Sequence, residues 1–272
     1  MEELRILAKV KLIATDMDGT FLNKMMDYDR QRFENLYAQL NLQNIKFVIA
    51  SGNQYYQLHS FFADHPELVC IAENGAYIRN QAEVFQATSF SNYSKNEILA
   101  RLTGIEDIQV LLSGMRSAYY LTSAAPTFVK LSHQYYPRLV AVDNFESVSD
   151  QIMKFSLNCP PAETEQLVEQ LRERLHGIAE PTSSGHGGID IIQPGMNKAA
   201  GLQHLGKQWG ISLAEMCAFG DGGNDLEMLS AVGEGVAMAN AAPVVKQTAP
   251  CQTVSNEEQG VLSYIEQILR RR

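Results

Sequence analysis

Residues 10–20 read Val-Lys-Leu-Ile-Ala-Thr-Asp16-Met-Asp18-Gly-Thr20, a short apolar run that ends abruptly in two carboxylates. Leu12 to Ala14 carry no charge and do not alternate with polar residues, the pattern of a strand covered on both faces, as in a parallel sheet. The next sixty residues support that reading. Tyr28–Leu40 places Phe33, Leu36, Tyr37 and Leu40 at helical spacing, Lys46–Ala50 is a second apolar strand ending in Ser51-Gly52, Gln54–Phe62 is helical, and Leu68–Ala72 is a third strand. Strand and helix alternate, so the opening belongs to an α/β domain.

The alternation returns near the other end. A helix is expected over Lys198–Trp209, a strand over Met216–Gly220 ending at Asp221, a helix over Asp225–Val232, a strand over Gly235–Met238 and a last helix over Val261–Leu269. Between about 85 and 190 the pattern changes. Strands at Gln109–Ser113, Ala118–Thr122, Lys154–Asn158 and Gly188–Ile192 outnumber helices at Lys95–Leu102 and Pro161–Leu175. The expected architecture is a Rossmann-like parallel-sheet core of residues 1–84 and 191–272, with an inserted α+β domain over 85–190.

Four polar clusters stand at the ends of four expected parallel strands: Asp16-Met-Asp18-Gly-Thr20, Ser51-Gly52-Asn53, Lys198 after Gly195-Met-Asn197, and Gly220-Asp221-Gly-Gly-Asn224-Asp225. Alone, each has an ordinary explanation, such as a solvated turn, a helix N-cap or a surface lysine. In this order they converge where open α/β sheets bind ligands, outside the carboxyl ends of the strands. Gly19 lets the chain bend so that Asp16 and Asp18 face one cavity. One carboxylate can attack phosphorus to give an aspartyl-phosphate, and the other can protonate the leaving alkoxide and later deprotonate water. Two carboxylates and a phosphate repel one another, so a hard cation with oxygen ligands is needed, and Mg²⁺ fits, with Asp221 as a further ligand. Lys198 and the hydroxyl and N–H of Ser51 would hold phosphoryl oxygens.

DMDGT, ASGN, the NK pair and GDGGND, in this order and at these intervals, resemble the four motifs of the haloacid dehalogenase superfamily of phosphotransferases. The insertion between the second and third motifs resembles the α+β cap of the Cof-type subgroup. The stretches ASGNQYYQL, AENGA, SAY and KFSLN resemble its sugar phosphatases. The resemblance implies that Asp16 is the nucleophile and Asp18 the general acid and base. It implies that Asp16, the Asp18 carbonyl and Asp221 ligate Mg²⁺ and that Ser51, Gly52, Lys198 and Asn224 bind the phosphoryl group. Asp225 would support the metal ligands from behind. Many relatives carry Arg where this chain has Asn53, so Asn53 is a candidate specificity residue, as is His186 in the inserted domain. The expected function is Mg²⁺-dependent hydrolysis of small phosphomonoesters, most simply sugar phosphates. A sugar phosphomutase or a non-catalytic phosphometabolite-binding protein on the same scaffold are the alternatives.

Composition narrows the partners. With 272 residues, 45% of them hydrophobic, the chain can bury a large core. Its 22 Lys and Arg against 31 Asp and Glu give a net charge of −9, which disfavours nucleic acid and anionic membranes and leaves a small phosphate ester as the expected partner. The terminal Arg270–Arg272 reads as a solvated tail. Cys70, Cys159, Cys217 and Cys251 form no CxxC, lie in apolar runs expected to be strands, and suit a reducing compartment. The opening apolar run is too short for a signal peptide, so a cytoplasmic location is expected. Tyr55 and Tyr56 read as packing residues.

Overall fold

Leu12–Thr15, wholly buried, is an interior strand paired in parallel on both sides, and its position decides where the chemistry can sit. In the computed structural model, which describes residues 9–185 and 187–271, the elements in chain order are β1 Leu12–Thr15, α1 Arg30–Leu42, β2 Lys46–Ala50, α2 Tyr55–Ser60, β3 Val69–Ala72, β4 Tyr77–Arg79, β5 Val84–Ala87, α3 Asn92–Leu102, β6 Gln109–Gly114, β7 Ala118–Leu121, α4 Pro126–Tyr135 and β8 Leu139–Val142. The chain continues through β9 Ile152–Asn158, α5 Thr164–Arg174, β10 Glu180–Gly185, β11 Gly188–Ile192, α6 Lys198–Trp209, β12 Met216–Gly220, α7 Leu226–Ala231, β13 Glu234–Ala237, α8 Pro243–Thr248, β14 Cys251–Gln252 and α9 Gly260–Arg270. Two compact units result, one running to Ala50 and resuming at Lys198, the other spanning Ser51–Asn197.

In the first unit the strand order is β14-β13-β12-β1-β2, every pair parallel. From β1 the chain proceeds to β2 on one side, while β12 lies on the other. The strand order therefore reverses between β1 and β12, the position at which such sheets open a crevice. Helix α1 starts where Asp29 accepts from the Arg32 N–H at 3.0 Å, and it buries the expected face of Phe33, Leu36, Tyr37 and Leu40. Phe33 is in edge contact with Phe21 and Tyr28 and packs on Phe47 of β2. Truncating a ring at such a position typically costs about 3–5 kcal/mol. Helix α9 buries Val261, Leu262, Ile265 and Ile268 together with Tyr264, whose ring meets Phe219 edge-on. Arg271 departs from the expected solvated tail: it donates to the buried Glu234 at 2.7 Å, where Tyr264 also donates.

The second unit holds the antiparallel ladder β3-β4-β5 and a six-stranded sheet ordered β10-β11-β9-β6-β7-β8, antiparallel except for the β7–β8 pair. It contains the whole 85–190 segment. Helices α3 and α5 cover one face of this sheet through Ile98, Leu102, Leu167 and Leu171, which pack on Phe155, Leu157 and Ile189. Strand β8 and helix α4 are additions to the expected elements. Helix α4 opens with Pro126 in its first turn, a position that tolerates the missing N–H. The four cysteines are all free thiols, and Cys159 falls just past the end of β9 rather than within a strand. Among the described residues no helix is long and apolar enough to cross a membrane.

Candidate active site

Parallel pairing of β1 with β12 sets Thr15 opposite Phe219, and the Asp16 N–H donates to the Phe219 carbonyl at 3.0 Å. Asp16 and Asp221 thus leave adjacent strand ends within one residue of the same level. Immediately after Asp16 the chain tightens: the Thr20, Phe21 and Leu22 amides all donate to the Met17 carbonyl. Met17 is fully buried, so its side chain enters the core between Asp16 and Asp18. The turn depends on Gly19, which has φ +74°. A Cβ there would stand 2.4 Å from Asp221 Oδ2. An alanine at that place would be strained in its backbone and would displace a carboxylate of the site.

Lys198 does not end a parallel strand as expected: β11, the strand before it, pairs antiparallel with both neighbours, and Lys198 is the first residue of α6. It is completely buried, and its ammonium donates to Asp16 Oδ1 at 2.6 Å and to Asp225 Oδ1 at 2.6 Å. The second oxygen of Asp225 accepts from the Asp221 and Gly222 amides, each at 3.0 Å. Asp225 therefore anchors both the lysine and the loop carrying Asp221. Thr20 donates its hydroxyl to Asp221 Oδ1 at 2.7 Å. Asn224 lies in a short turn over Gly223–Asp225, with its side-chain oxygen folded back over Gly222.

Carboxylate oxygens of Asp16, Asp221 and Asp225 all lie within 4.8 Å of one another. Burial pushes the Asp16 carboxyl well above the usual carboxylate range; Lys198 opposes this, and Asp225 and Asp221 reinforce it. Burial raises Asp221 to about 6, against the Thr20 hydrogen bond. Burial disfavours the Lys198 ammonium, but Asp16 and Asp225 outweigh it and hold its pKa above that of an ordinary lysine. Three carboxyl groups share one ammonium, and the donor set is all oxygen. Both features fit a divalent hard cation such as Mg²⁺.

Ser51, Gly52 and Asn53 lie in the second unit, between β2 and α2. Ser51 is buried, and its Oγ accepts from the Asn53 N–H at 3.1 Å rather than capping α2, whose N-cap is Gln54. Tyr55 is buried against Tyr77, and Tyr56 donates to the Met115 carbonyl under the guanidinium of Arg138, which is consistent with packing roles. His186 lies outside the described residues. Reading by motif left Thr20 without a role, although a hydroxyl just past the turn glycine was a usable signal. No motif gives an individual role to Glu73 and Asn74 of AENGA, Lys154 of KFSLN, or Asp190, which form a second buried polar cluster in the second unit. There the signal was a charged residue inside an apolar strand, as in Ile152-Met-Lys154-Phe and Gly188-Ile-Asp190-Ile.

Comparison with known proteins agrees with this geometry. The haloacid dehalogenase-like hydrolase profile matches residues 13–265. The chain is 39% identical over 262 residues to the Escherichia coli 5-amino-6-(5-phospho-D-ribitylamino)uracil phosphatase YbjI, covering 96% of this chain and 97% of that protein. It is 28% identical to the Bacillus subtilis phosphatase YitU, named for the same substrate, covering 95% and 97%. The crystal structure of SMU.1108c from Streptococcus mutans superposes with a TM-score of 0.93 at 36% identity, covering 96% of this chain and 99% of that one. A sequence match of this extent, over a parallel sheet whose switch point gathers Asp16, Lys198, Asp221 and Asp225, places the chain in the haloacid dehalogenase-like hydrolase family, in its Cof-type branch, as a phosphoric monoester hydrolase.

Proposed function

We propose that this phosphatase hydrolyses small polyhydroxylated phosphomonoesters, sugar phosphates and phosphorylated polyols, with Mg²⁺ and through an aspartyl-phosphate on Asp16. The observation that carries the reading is the Lys198 ammonium held between Asp16 and Asp225 at 2.6 Å to each. It orients one oxygen of a buried aspartate at a strand end and opposes the burial that disfavours its charge. Asp16, the Asp18 carbonyl and Asp221 would hold the cation, which would supply charge neutralisation for the approach of a carboxylate to a phosphate dianion. An Asp16 oxygen forms a bond to phosphorus as the ester oxygen departs with a proton from Asp18. Asp18 then takes a proton from water, whose oxygen attacks phosphorus, releasing inorganic phosphate and restoring Asp16. Ser51, Gly52, Lys198 and Asn224 hold the phosphoryl oxygens.

These residues meet only the phosphoryl group and the metal, so the choice of ester falls to the 85–190 segment and to Asn53. Asn53 offers neutral hydrogen bonds, which suit a polyol bearing one phosphate better than a doubly anionic substrate. The ribitylaminouracil phosphate in the relatives' names is a polyol phosphate of this class. Four free thiols and a net charge of −9 suit a reducing, cytoplasmic setting without nucleic acid or membrane partners. The test is release of inorganic phosphate from a panel of sugar monophosphates, polyol phosphates, bisphosphates and phosphocarboxylates, with isomer formation followed in parallel. Phosphate release should be lost by several orders of magnitude in Asp16→Asn, and monophosphates should be preferred. Isomer formation without phosphate release would replace hydrolysis by a mutase reaction.

A further inference from the structure

Lys154 sits in the middle of β9 with 2% of its side chain exposed, and its ammonium makes two hydrogen bonds and two ion pairs inside the second unit. It donates to the Gly52 carbonyl at 2.5 Å and to Asp190 Oδ2 at 3.2 Å, and its third contact is an ion pair with Glu73 Oε2 at 3.4 Å. The two carboxylates are themselves held: Ser113 donates to Glu73 at 2.7 Å, Asn74 to Asp190 at 2.7 Å, and Ser156 to Asp190 at 3.0 Å. Burying an ammonium among carboxylates seldom adds net stability, because desolvation of the ions offsets their attraction. Such a group is better explained by what it orients.

What it orients is the loop 51–53. Three successive carbonyls are bound by this cluster and its backbone: Ser51 O by the Asn74 N–H at 3.1 Å, Gly52 O by Lys154, and Asn53 O by the Glu73 N–H at 3.2 Å. Glu73 and Asn74 both adopt positive φ to deliver those amides. A Cβ on Gly52 would lie 3.0 Å from Asp190 Oδ2, so the loop approaches the cluster as closely as a glycine permits. A trans peptide points its C=O and N–H in opposite directions. The Gly52–Asn53 peptide, gripped by Lys154 at its oxygen, presents its N–H to Ser51 Oγ at 3.1 Å. The ammonium also polarises that peptide, which strengthens the bond its N–H donates.

We propose that Lys154 is a positioning residue that, through the Gly52–Asn53 peptide, fixes the Ser51 hydroxyl with its proton directed to a phosphoryl oxygen of the substrate. This rests on the proposed role of Ser51 as a phosphoryl ligand. The experiment is a double-mutant cycle of Lys154→Met and Ser51→Ala, read as the inhibition constant of inorganic phosphate and as KM and kcat for an aryl phosphate, with thermal unfolding recorded alongside. Each single variant should weaken phosphate inhibition about tenfold, the value of one charge-assisted hydrogen bond. The double variant should be no weaker than Ser51→Ala alone. A purely structural lysine would lower the unfolding temperature without that non-additivity. Should Lys154→Met fail to fold alone, the same cycle in a Glu73→Gln background, where Asp190 keeps Asn74 and Ser156, gives the readout. Additive effects, or a silent Lys154→Met beside a weakened Ser51→Ala, overturn the positioning role alone. A silent Ser51→Ala overturns it together with the assignment of Ser51 as a phosphoryl ligand.

Discussion

Lys198 and Asp225 form an ion pair at 2.6 Å in which neither side chain has any solvent exposure. Asp225 contacts Lys198 with one oxygen and the 221–222 backbone with the other, so one aspartate fixes both a cation and the loop that carries Asp221. Removing the lysine leaves Asp16 and Asp225 facing each other with no compensating charge. Lys198→Met should lose about 3–5 kcal/mol of stability and about 100- to 1,000-fold in kcat. Adding Asp225→Asn should recover part of the stability and none of the rate. Thermal unfolding and phosphate release on both variants check this; equal recovery of rate and stability would contradict it.

Phosphate release should fall to background on exhaustive chelation and return with Mg²⁺. Ca²⁺ should restore little, because it takes more ligands at longer distances and loosens in-line geometry. Asp221→Ala removes one carboxylate of the three-carboxylate cluster and should raise the Mg²⁺ needed for half-maximal rate by tenfold or more. Titration of rate against Mg²⁺ for both proteins decides the matter. An unchanged rate after chelation would rule the metal out.

Asp18 lies three residues past the end of the first strand, and the turn at Gly19 places it beside Asp221, whose carboxyl it helps to push up. As general acid it matters most when the departing oxygen is a strong base. Asp18→Ala should slow sugar phosphates by at least about 100-fold and aryl phosphates much less, since an aryl oxide leaves largely unaided. Comparing kcat/KM for the two ester classes tests this, and equal losses would remove the proton-donor role.

Glu73 is buried, and desolvation raises its carboxyl above the usual glutamate value despite Lys154 and the Ser113 hydrogen bond. A carboxyl raised on folding contributes stability at low pH, and that contribution is lost as pH rises through its folded value. Glutamine mimics the protonated form and does not titrate. The difference in Tm between Glu73→Gln and wild type should therefore shift in favour of the variant as pH rises from 4 to 8. Parallel Tm profiles over that range would show that Glu73 titrates like an ordinary surface carboxylate.

Local sequence determined much of this protein. A short apolar run bounded by turn residues and ending in a polar cluster reads as a covered strand, so β1, β2 and β12 and the acids at the ends of β1 and β12 were legible, as were α6 and the buried face of α1. Short elements such as β4, β8 and α4 were not: β4 is buried but only three residues long, and the half-exposed residues of β8 and α4 carry too weak a period. Tertiary structure alone decided the pairings. Lys198 meets Asp16 across 182 positions of chain, and Lys154 meets Gly52 across 102. No periodicity encodes such distances; they result from which strands lie side by side. The order β12-β1-β2 makes one lysine, rather than another, the cation that Asp16 and Asp225 share, because a buried charge is stable only where the returning chain supplies its counter-charge.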